Sequence, residues 1–424
     1  MTTVISNFQG IQVLDSRGRP TVCARMMLSD GSVHKATVPS GASTGAHEAL
    51  ELRDGETEIS EKLFLGKSVH QAVSNINEII RPRLLKLEPN SEKIDAILHE
   101  LDSTSRHEIL GANATLATSL VGAIASAHVR KVSLARFYQP HGALKIPMPM
   151  VNILSGGAHA AGALDIQDVL VIPHGAKTFA QGLTWVSAIR EKAAELGASD
   201  GFMTNLVADE GGLGLPFASS DMACGFITHC IESVGLNPRV DVSLALDIAA
   251  TQFYKDEKYE SRSQGLQYTP EQWSQLLLAL VATHPIISIE DPFAEDDWDS
   301  WELFMKQLPR PIQVVGDDLF TTNTRRLSRG IKGRSANAIL IKPNQNGLVT
   351  STHDVLTQAQ YSGLGTIVSA RSGESEDSWL ADLATGWNAG QIKVGSTHGS
   401  ERTAKWNRLL ELEATEETVF SKPF

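Results

Sequence analysis

Cysteine is scarce in this chain of 424 residues. The three cysteines, Cys23, Cys224 and Cys230, are odd in number and lack the spacing of metal ligands. This pattern argues against a disulfide framework and favours a reducing compartment. We therefore interpret all three as packing residues.

Long apolar runs are also missing. No uninterrupted apolar stretch approaches the length that spans a membrane. Residues 1–10 carry no basic stretch followed by a long apolar run, as a secretory signal would. We expect a cytoplasmic protein with no membrane partner.

Positive charge is in deficit, since 37 lysines and arginines stand against 49 aspartates and glutamates, for a net charge of -12. Such a chain repels polyanions, so we expect no nucleic acid partner. An anionic small substrate would need local help from lysine, arginine or a metal. The hydrophobic fraction of 42% and the charged fraction of 20% are those of an ordinary globular protein.

The first part of the chain combines strands and helices. Alternating segments on either side of the turn-rich residues 15–20 predict antiparallel strand pairing. Residues 69–87, 91–101 and 111–131 have the apolar spacing of helices. We predict an α+β domain over residues 1–138.

A proline-marked connection at residues 141–149 leads into a different pattern, in which short β-rich runs alternate with helical stretches. Repeated strand–helix units predict a parallel (β/α) barrel, here over residues 139–424. The clearest strands are expected at residues 242–246, 285–289, 312–315, 338–341 and 366–369.

Charged residues stand at the carboxyl ends of four of these runs: Asp247, Glu290, Asp317 and Lys342. Each alone could be a cap or a surface residue. Barrel enzymes place their chemistry at this end of the strands, so the four side chains should converge on one mouth. Carboxylates from three strands suit Mg²⁺, and a lysine facing a metal ion bound by carboxylates can lose its proton and act as a base.

Longer motifs resemble those of the enolase family, from residue 11 to residue 412. They are PSGASTG at 39–45, GGAHA at 156–160, DEGG at 209–212, SIEDP at 288–292, GDD at 316–318 and GQIK at 390–393. The resemblance implies an α/β fold: a modified (β/α)8 TIM-like barrel, whose early strands depart from the parallel pattern, with an N-terminal α+β capping domain. It also implies a homo-oligomer, either a dimer or a ring of dimers.

The resemblance implies a reaction as well, the dehydration of 2-phosphoglycerate to phosphoenolpyruvate with two Mg²⁺ ions per active site. Asp247, Glu290 and Asp317 would bind the first ion, and Ser43 would reach the second. Removal of a weakly acidic proton next to a carboxylate needs concentrated positive charge, which Lys393 and the metal ions would supply.

The remaining roles also follow from the resemblance. Lys342 would take the proton from carbon 2, Glu210 would protonate the departing hydroxyl, and Asp168 would assist at the hydroxyl end. His159 would lie near the substrate phosphate, although a lone histidine beside glycines is more often structural. The substrate-binding residues would be Arg371, Ser372, Gln167 and Ala42.

Five residues depart from the family pattern, and two of them, Pro343 and Asn346, lie in the segment that begins at Lys342. Ala370 replaces a histidine, Asp168 replaces a glutamate, and Ser155 replaces an asparagine. Every proposed metal ligand, the base and the acid are retained, so we expect the carbon-acid chemistry to survive. The shorter side chains at positions 370 and 168 are expected to enlarge the pocket.

Two alternatives remain open on the sequence. An enlarged pocket could serve a phosphate-modified analogue, such as the phosphonoformyl-glycerate that an enolase relative converts to carboxyphosphonoenolpyruvate. A non-catalytic scaffold or surface-binding protein could share the fold, since fold alone does not determine function. A scaffold would be expected to lose its metal ligands or its base.

Overall fold

The computed structural model describes residues 2–42, 45–55 and 64–424. The N-terminal part contains the predicted antiparallel sheet, whose three strands lie side by side in chain order, with Leu14 opposite Pro20 at the first turn. The carboxylate of Asp15 closes this turn by accepting the backbone N–H groups of Arg17 and Arg19 at 2.8 and 2.9 Å. The strands are β1 (Ile5–Leu14), β2 (Pro20–Leu28) and β3 (Val33–Thr37).

Helices cover this sheet. The central one is buried along nearly its whole length, and its many alanines let it pack closely on β2 and β3. The predicted helices are confirmed, with a π-helical turn, Asn75–Ile80, inside the first. The helices are α1 (His70–Ser74), α2 (Arg81–Leu84), α3 (Ser91–Leu101), α4 (Ala112–Val129) and α5 (Leu134–Tyr138).

A closed eight-stranded barrel follows, as predicted. The five strands expected from the sequence lie within one residue of their predicted bounds. A short strand, β4 (Leu144–Ile146), pairs outside the barrel with β16 (Thr418–Phe420). The barrel strands are β5 (Met148–Ser155), β6 (Asp168–Ile172), β7 (Ser243–Asp247), β11 (Ile286–Glu290), β12 (Gln313–Gly316), β13 (Ala338–Ile341), β14 (Gly365–Ser369) and β15 (Gln391–Gly395).

One barrel strand runs against the others. Strand β6 pairs antiparallel with both β5 and β7, whereas the other neighbouring pairs are parallel. Its first residue, Asp168, therefore lies opposite Asp247, the last residue of β7. The reversed strand thus brings the beginning of β6 to the mouth formed by the carboxyl ends of its neighbours.

Helices surround the barrel, and a small antiparallel sheet follows β7. Within the described ranges, no helix is long and apolar enough to cross a membrane. The small sheet consists of β8 (Tyr254–Lys255), β9 (Lys258–Ser261) and β10 (Leu266–Tyr268). The helices are α6 (Phe179–Ser199), α7 (Ser220–Ser233), α8 (Pro270–Thr283), α9 (Trp298–Gln307), α10 (Thr324–Gly333), α11 (Pro343–Asn346), α12 (Val349–Tyr361), α13 (Trp379–Gly386) and α14 (Ser400–Thr415).

Candidate active site

Two of the predicted metal ligands form ion pairs with the same lysine. Asp247 and Glu290 end neighbouring parallel strands and lie directly opposite each other in the register. Lys393, from β15, donates to Asp247 Oδ2 at 2.6 Å and to both oxygens of Glu290 at 2.8 Å. All three side chains are buried. The barrel therefore concentrates two carboxylates and one ammonium group at the centre of its mouth.

The third predicted ligand, Asp317, follows β12 and forms a short ion pair with Lys342. Gln345, from α11, donates to the other oxygen of Asp317 at 2.9 Å. Burial acts to lower the pKa of Lys342, but the charge of Asp317 outweighs it, so the pKa lies above its ordinary value. Asp247 and Glu290 therefore pair with Lys393, whereas Asp317 pairs with Lys342.

The donor set fits a divalent cation. Burial and the adjacent charge of Asp247 raise the pKa of Glu290 well above its ordinary value. Asp317 has one oxygen within 4.8 Å of an oxygen of Asp291 and of Asp318, and among the described residues Asp247 and Glu290 do not join this group. Because these carboxylates crowd one another in a buried site, a cation with oxygen ligands would relieve their repulsion. The residues present could therefore hold a metal ion.

A second group of charged residues consists of His159, Asp168 and Glu210. His159 Nδ1 contacts Asp168 Oδ2 at 2.9 Å, and His159 Nε2 lies 3.7 Å from Glu210 Oε1. Burial acts to lower the pKa of His159, but the charges of Asp168 and Glu210 raise it to about 9. Burial likewise acts to raise the pKa of Glu210, and the nearby cations, His159 first, bring it below its ordinary value. The structure thus brings the three residues together as a row in which the imidazole of His159 lies between the carboxyl groups of Asp168 and Glu210.

Two side chains donate hydrogen bonds to the shorter Asp168. Its side chain is fully buried, and Ser155 Oγ donates to Asp168 Oδ1 at 3.0 Å. The amide of Asn152 donates to the same oxygen. The enlargement expected at position 168 stays a prediction, and a serine and an asparagine lie next to this carboxylate. At position 370 the prediction stays open, and Ala370 is buried.

The predicted phosphate-binding pair follows β14. Arg371 Nη1 donates to Glu48 Oε2 and to Asn344 Oδ1, each at 3.0 Å. Ser372 Oγ accepts the backbone N–H of Ala42 at 2.7 Å. The glycine-rich segment of the N-terminal part thus reaches the barrel mouth at this pair.

The last two predicted site residues are Gln167 and Ser43. Gln167 Nε2 donates to Asp247 Oδ2 at 3.2 Å, and its oxygen accepts from Gln252. Gln167 therefore lies at the mouth, against a predicted metal ligand. Ser43 lies outside the described residues.

Three residues at the site were not assigned a role from the sequence. Glu48 pairs with Arg371, as described above. Asp291 accepts the backbone N–H groups of Asp317 and Asp318, each at 2.8 Å, so it shapes the loop after β12. Arg402, from α14, is fully buried and donates to main-chain carbonyls of the segment that begins at Arg371.

These three residues differ in how well the sequence alone could have identified them. Glu48 and Asp291 lie within or next to two of the motifs, and their charge next to predicted site residues was a usable signal. Arg402 lies in a helix with ordinary polar spacing, and no sequence pattern distinguishes it from a surface arginine.

Comparisons with known proteins agree along nearly the whole chain. Residues 5–138 match the family model described as "Enolase, N-terminal domain", and residues 143–421 match the one described as "Enolase, C-terminal TIM barrel domain". A curated protein from a Nitratiruptor species, named Enolase, is 44% identical over 410 residues, which cover 96% of this chain and 96% of that protein. The chain therefore belongs to the enolase family, the hydro-lyases that convert 2-phosphoglycerate to phosphoenolpyruvate and water.

Proposed function

We propose that this chain dehydrates 2-phosphoglycerate with Lys342 as the base and Glu210 as the acid. The observation that carries the proposal is the placement of Lys342 and Glu210 in one mouth, with the lysine bonded to Asp317 and the glutamate beside His159. A base and an acid with separate partners can act on two atoms of one small substrate.

The reaction removes a proton and a hydroxyl from adjacent carbons. Lys342 takes the proton from carbon 2, and the electron pair left there forms the double bond as the bond from carbon 3 to its hydroxyl breaks. Glu210 donates a proton to that hydroxyl, which leaves as water. Because nearby cations hold the pKa of Glu210 below its ordinary value, Glu210 must first take up this proton, and the protonated His159 beside it is the proposed source. Because the charge of Asp317 raises the pKa of Lys342, the lysine becomes a competent base once that charge is neutralised.

The proposed cofactor is Mg²⁺, two ions per active site. Asp247, Glu290 and Asp317 would hold the first, and Ser43 is proposed for the second. Bound there, Mg²⁺ would supply the positive charge that stabilises the doubly charged enediolate-like carboxylate. Lys393, bonded to Asp247 and Glu290, adds a fixed positive charge from the protein itself.

The substrate phosphate is proposed to bind Arg371 and Ser372, with His159 nearby. A guanidinium donates to two phosphate oxygens at once, and a hydroxyl adds a further donor. Ala42 would contribute from the glycine-rich segment, and Gln167 from the opposite side of the mouth. Asp168 is proposed to assist at the hydroxyl end through His159.

Several wider properties are also proposals. We divide the chain into a capping domain at residues 1–138 and a catalytic domain at residues 139–424. The resemblance supports a homo-oligomer, a dimer or a ring of dimers. The three buried free thiols and the net charge of -12 support a cytoplasmic enzyme without nucleic acid or membrane partners.

The two alternatives find no support in the comparisons. The relative reported above is named an enolase, and no observation favours phosphonoformyl-glycerate over 2-phosphoglycerate. A non-catalytic scaffold is not favoured either, because the predicted base, acid and first-metal ligands all lie at the barrel mouth.

The test is a pair of assays on purified protein. Phosphoenolpyruvate formation is followed by ultraviolet absorbance with Mg²⁺ or with a chelator, and exchange of the carbon 2 proton is followed by NMR in D₂O. We expect Lys342→Ala to lose both exchange and dehydration. Glu210→Gln is expected to lose dehydration while it retains exchange, since it leaves the base in place.

Lys332→Ala is the matched control, because this lysine is exposed on α10. It should behave as the wild type does. Exchange that survives in Lys342→Ala would assign the base to another residue.

A further inference from the structure

Ser155 and Asp168 face each other across two strands. Ser155 ends β5, Asp168 begins β6, and the two are directly paired in the antiparallel register. Residues paired in this way project to the same face, where short side chains meet. The Ser155 hydroxyl and the Asp168 carboxylate are fully buried and 3.0 Å apart. The loop between the strands carries His159.

The direction of the hydrogen bonds is determined by the groups themselves. Asn152 Nδ2 contacts both Ser155 Oγ, at 3.0 Å, and Asp168 Oδ1. A carboxylate only accepts and a serine hydroxyl has one proton, so Asn152 donates to Ser155 and Ser155 donates to Asp168. Asp168 Oδ1 therefore accepts two hydrogen bonds. The other oxygen, Asp168 Oδ2, contacts His159 Nδ1 at 2.9 Å.

The segment that carries Glu210 packs against the same group. A Cβ added to Gly212 would lie 2.6 Å from Ser155 Oγ and 2.8 Å from Asn152 Oδ1. The backbone N–H of Ser155 also donates to the carbonyl of Leu213 at 2.9 Å. Little room is left for the Ser155 hydroxyl to turn away from Asp168, so its position relative to the Glu210 segment is set by packing.

We propose that Ser155 is a positioning residue for the dehydration, because it holds Asp168 in the orientation that directs His159 Nε2 toward Glu210. The carboxylate on Nδ1 determines the ring orientation of His159, as outer partners do for ligating and catalytic histidines. Without the hydroxyl, Oδ1 keeps one donor instead of two, and the carboxylate and the ring gain freedom to rotate. This inference rests on the proposed role of Glu210 as the acid.

The experiment is a double-mutant cycle between Ser155→Ala and Asp168→Asn, with kcat and KM measured on 2-phosphoglycerate. We expect Ser155→Ala to lower kcat about tenfold, the lower end for residues that orient a site residue, and to leave KM little changed. In the Asp168→Asn background, the same substitution should have almost no further effect.

Ser243→Ala is the matched control. Ser243 is a buried barrel serine at the opposite end of β7, where its hydroxyl lies 2.9 Å from a histidine nitrogen, His174 Nε2. The control therefore removes a buried hydroxyl bonded to a histidine without touching Asp168. Thermal unfolding of each variant checks that it is folded, and kcat of Ser243→Ala should equal that of the wild type.

A second measurement reports the histidine directly. The imidazole ¹⁵N resonances of His159, identified by their loss in His159→Gln, should shift in Ser155→Ala and remain unchanged in Ser243→Ala. The inference is overturned by an equal loss of kcat in both Asp168 backgrounds, or by unchanged His159 resonances. A wild-type protein without activity would instead contradict the proposed function, and the resonances would still decide whether Ser155 positions His159.

Discussion

Glu48 and Arg371 form a two-point ion pair although 323 positions separate them in the chain. Arg371 Nη1 donates to one oxygen of Glu48 at 3.0 Å, and Nη2 donates to the other at 3.3 Å. Glu48 belongs to the N-terminal part and Arg371 follows β14. The pair therefore ties the two parts of the chain together at the mouth of the barrel.

Glu48→Gln should destabilise the protein and raise KM for 2-phosphoglycerate. Glutamine keeps the shape but leaves the buried guanidinium without this anion, and breaking one side of a buried pair costs on the order of 3 kcal/mol. Urea unfolding and steady-state kinetics measure the two effects. The control is Glu51→Gln, whose half-buried pair with Arg53 should contribute less than about 1 kcal/mol. Equal unfolding free energies for the two variants would contradict the prediction.

Arg402→Lys should raise KM and lower stability together. The guanidinium of Arg402 donates to the carbonyl oxygens of Arg371 at 2.6 Å, Val394 at 2.9 Å and Ser372 at 2.6 Å. A lysine cannot match this fork, and each buried carbonyl left unpaired costs about 1–3 kcal/mol. The same change at the exposed Arg83 should be neutral in both assays. Normal KM with reduced stability would show that Arg402 does not position the Arg371 segment.

Mg²⁺ should stabilise the folded protein in the absence of substrate. A ligand that binds only the folded state adds about 2.7 kcal/mol when its concentration is about 100 times its Kd. We expect the thermal unfolding midpoint to rise with Mg²⁺ concentration and Glu290→Gln to abolish most of the rise. Glu271→Gln, on an exposed residue of α8, should keep it. A thermal unfolding midpoint of the wild type that does not change with Mg²⁺ concentration would argue against the metal site.

Stability should depend on pH through His159. Its pKa rises from the ordinary 6.5 to about 9 in the folded protein, so the folded state binds the proton more tightly than the unfolded state does. The stability from His159 is therefore fully present below pH 6.5 and is lost as the pH rises through 9. Urea unfolding of wild type and His159→Gln should give a free-energy difference that shrinks across this window.

The companion variant for the pH experiment is Asp168→Asn. Because the charge of Asp168 is the largest influence that raises the pKa of His159, the loss of stability should move to lower pH in this variant. A difference between wild type and His159→Gln that stays constant from pH 6.5 to 9 would refute the assignment.

The cysteines should be unreactive in the native protein. All three are buried, and burial raises the pKa of the Cys224 and Cys230 thiols to about 12 and also raises that of Cys23. Since the thiolate is the reactive form, a chromogenic thiol reagent at neutral pH should detect no thiol until denaturant is added, and then three per chain. Rapid reaction of the native protein would show an accessible thiol. The structure confirms the interpretation of these residues as packing residues.

The sequence by itself determined five of the eight barrel strands and the charged residues at the ends of four of them. Asp247, Glu290 and Lys342 could be placed because an apolar run followed by a charged residue is a local pattern, and because parallel strands of a barrel end at one mouth. The motifs around Asp317 and Lys393 added the family and, with it, the expectation that the early strands depart from the parallel pattern.

Only the tertiary structure decided how these residues pair. The enclosure of Asp168 by Ser155 and Asn152, the support of the Arg371 segment by Arg402, and the pairing of Glu48 with Arg371 all depend on contacts between separate segments of the chain. Local patterns specify strands and helices through backbone and burial preferences. The partners of a buried charge are selected later, when packing removes water and each charge must find a neighbouring group that compensates it.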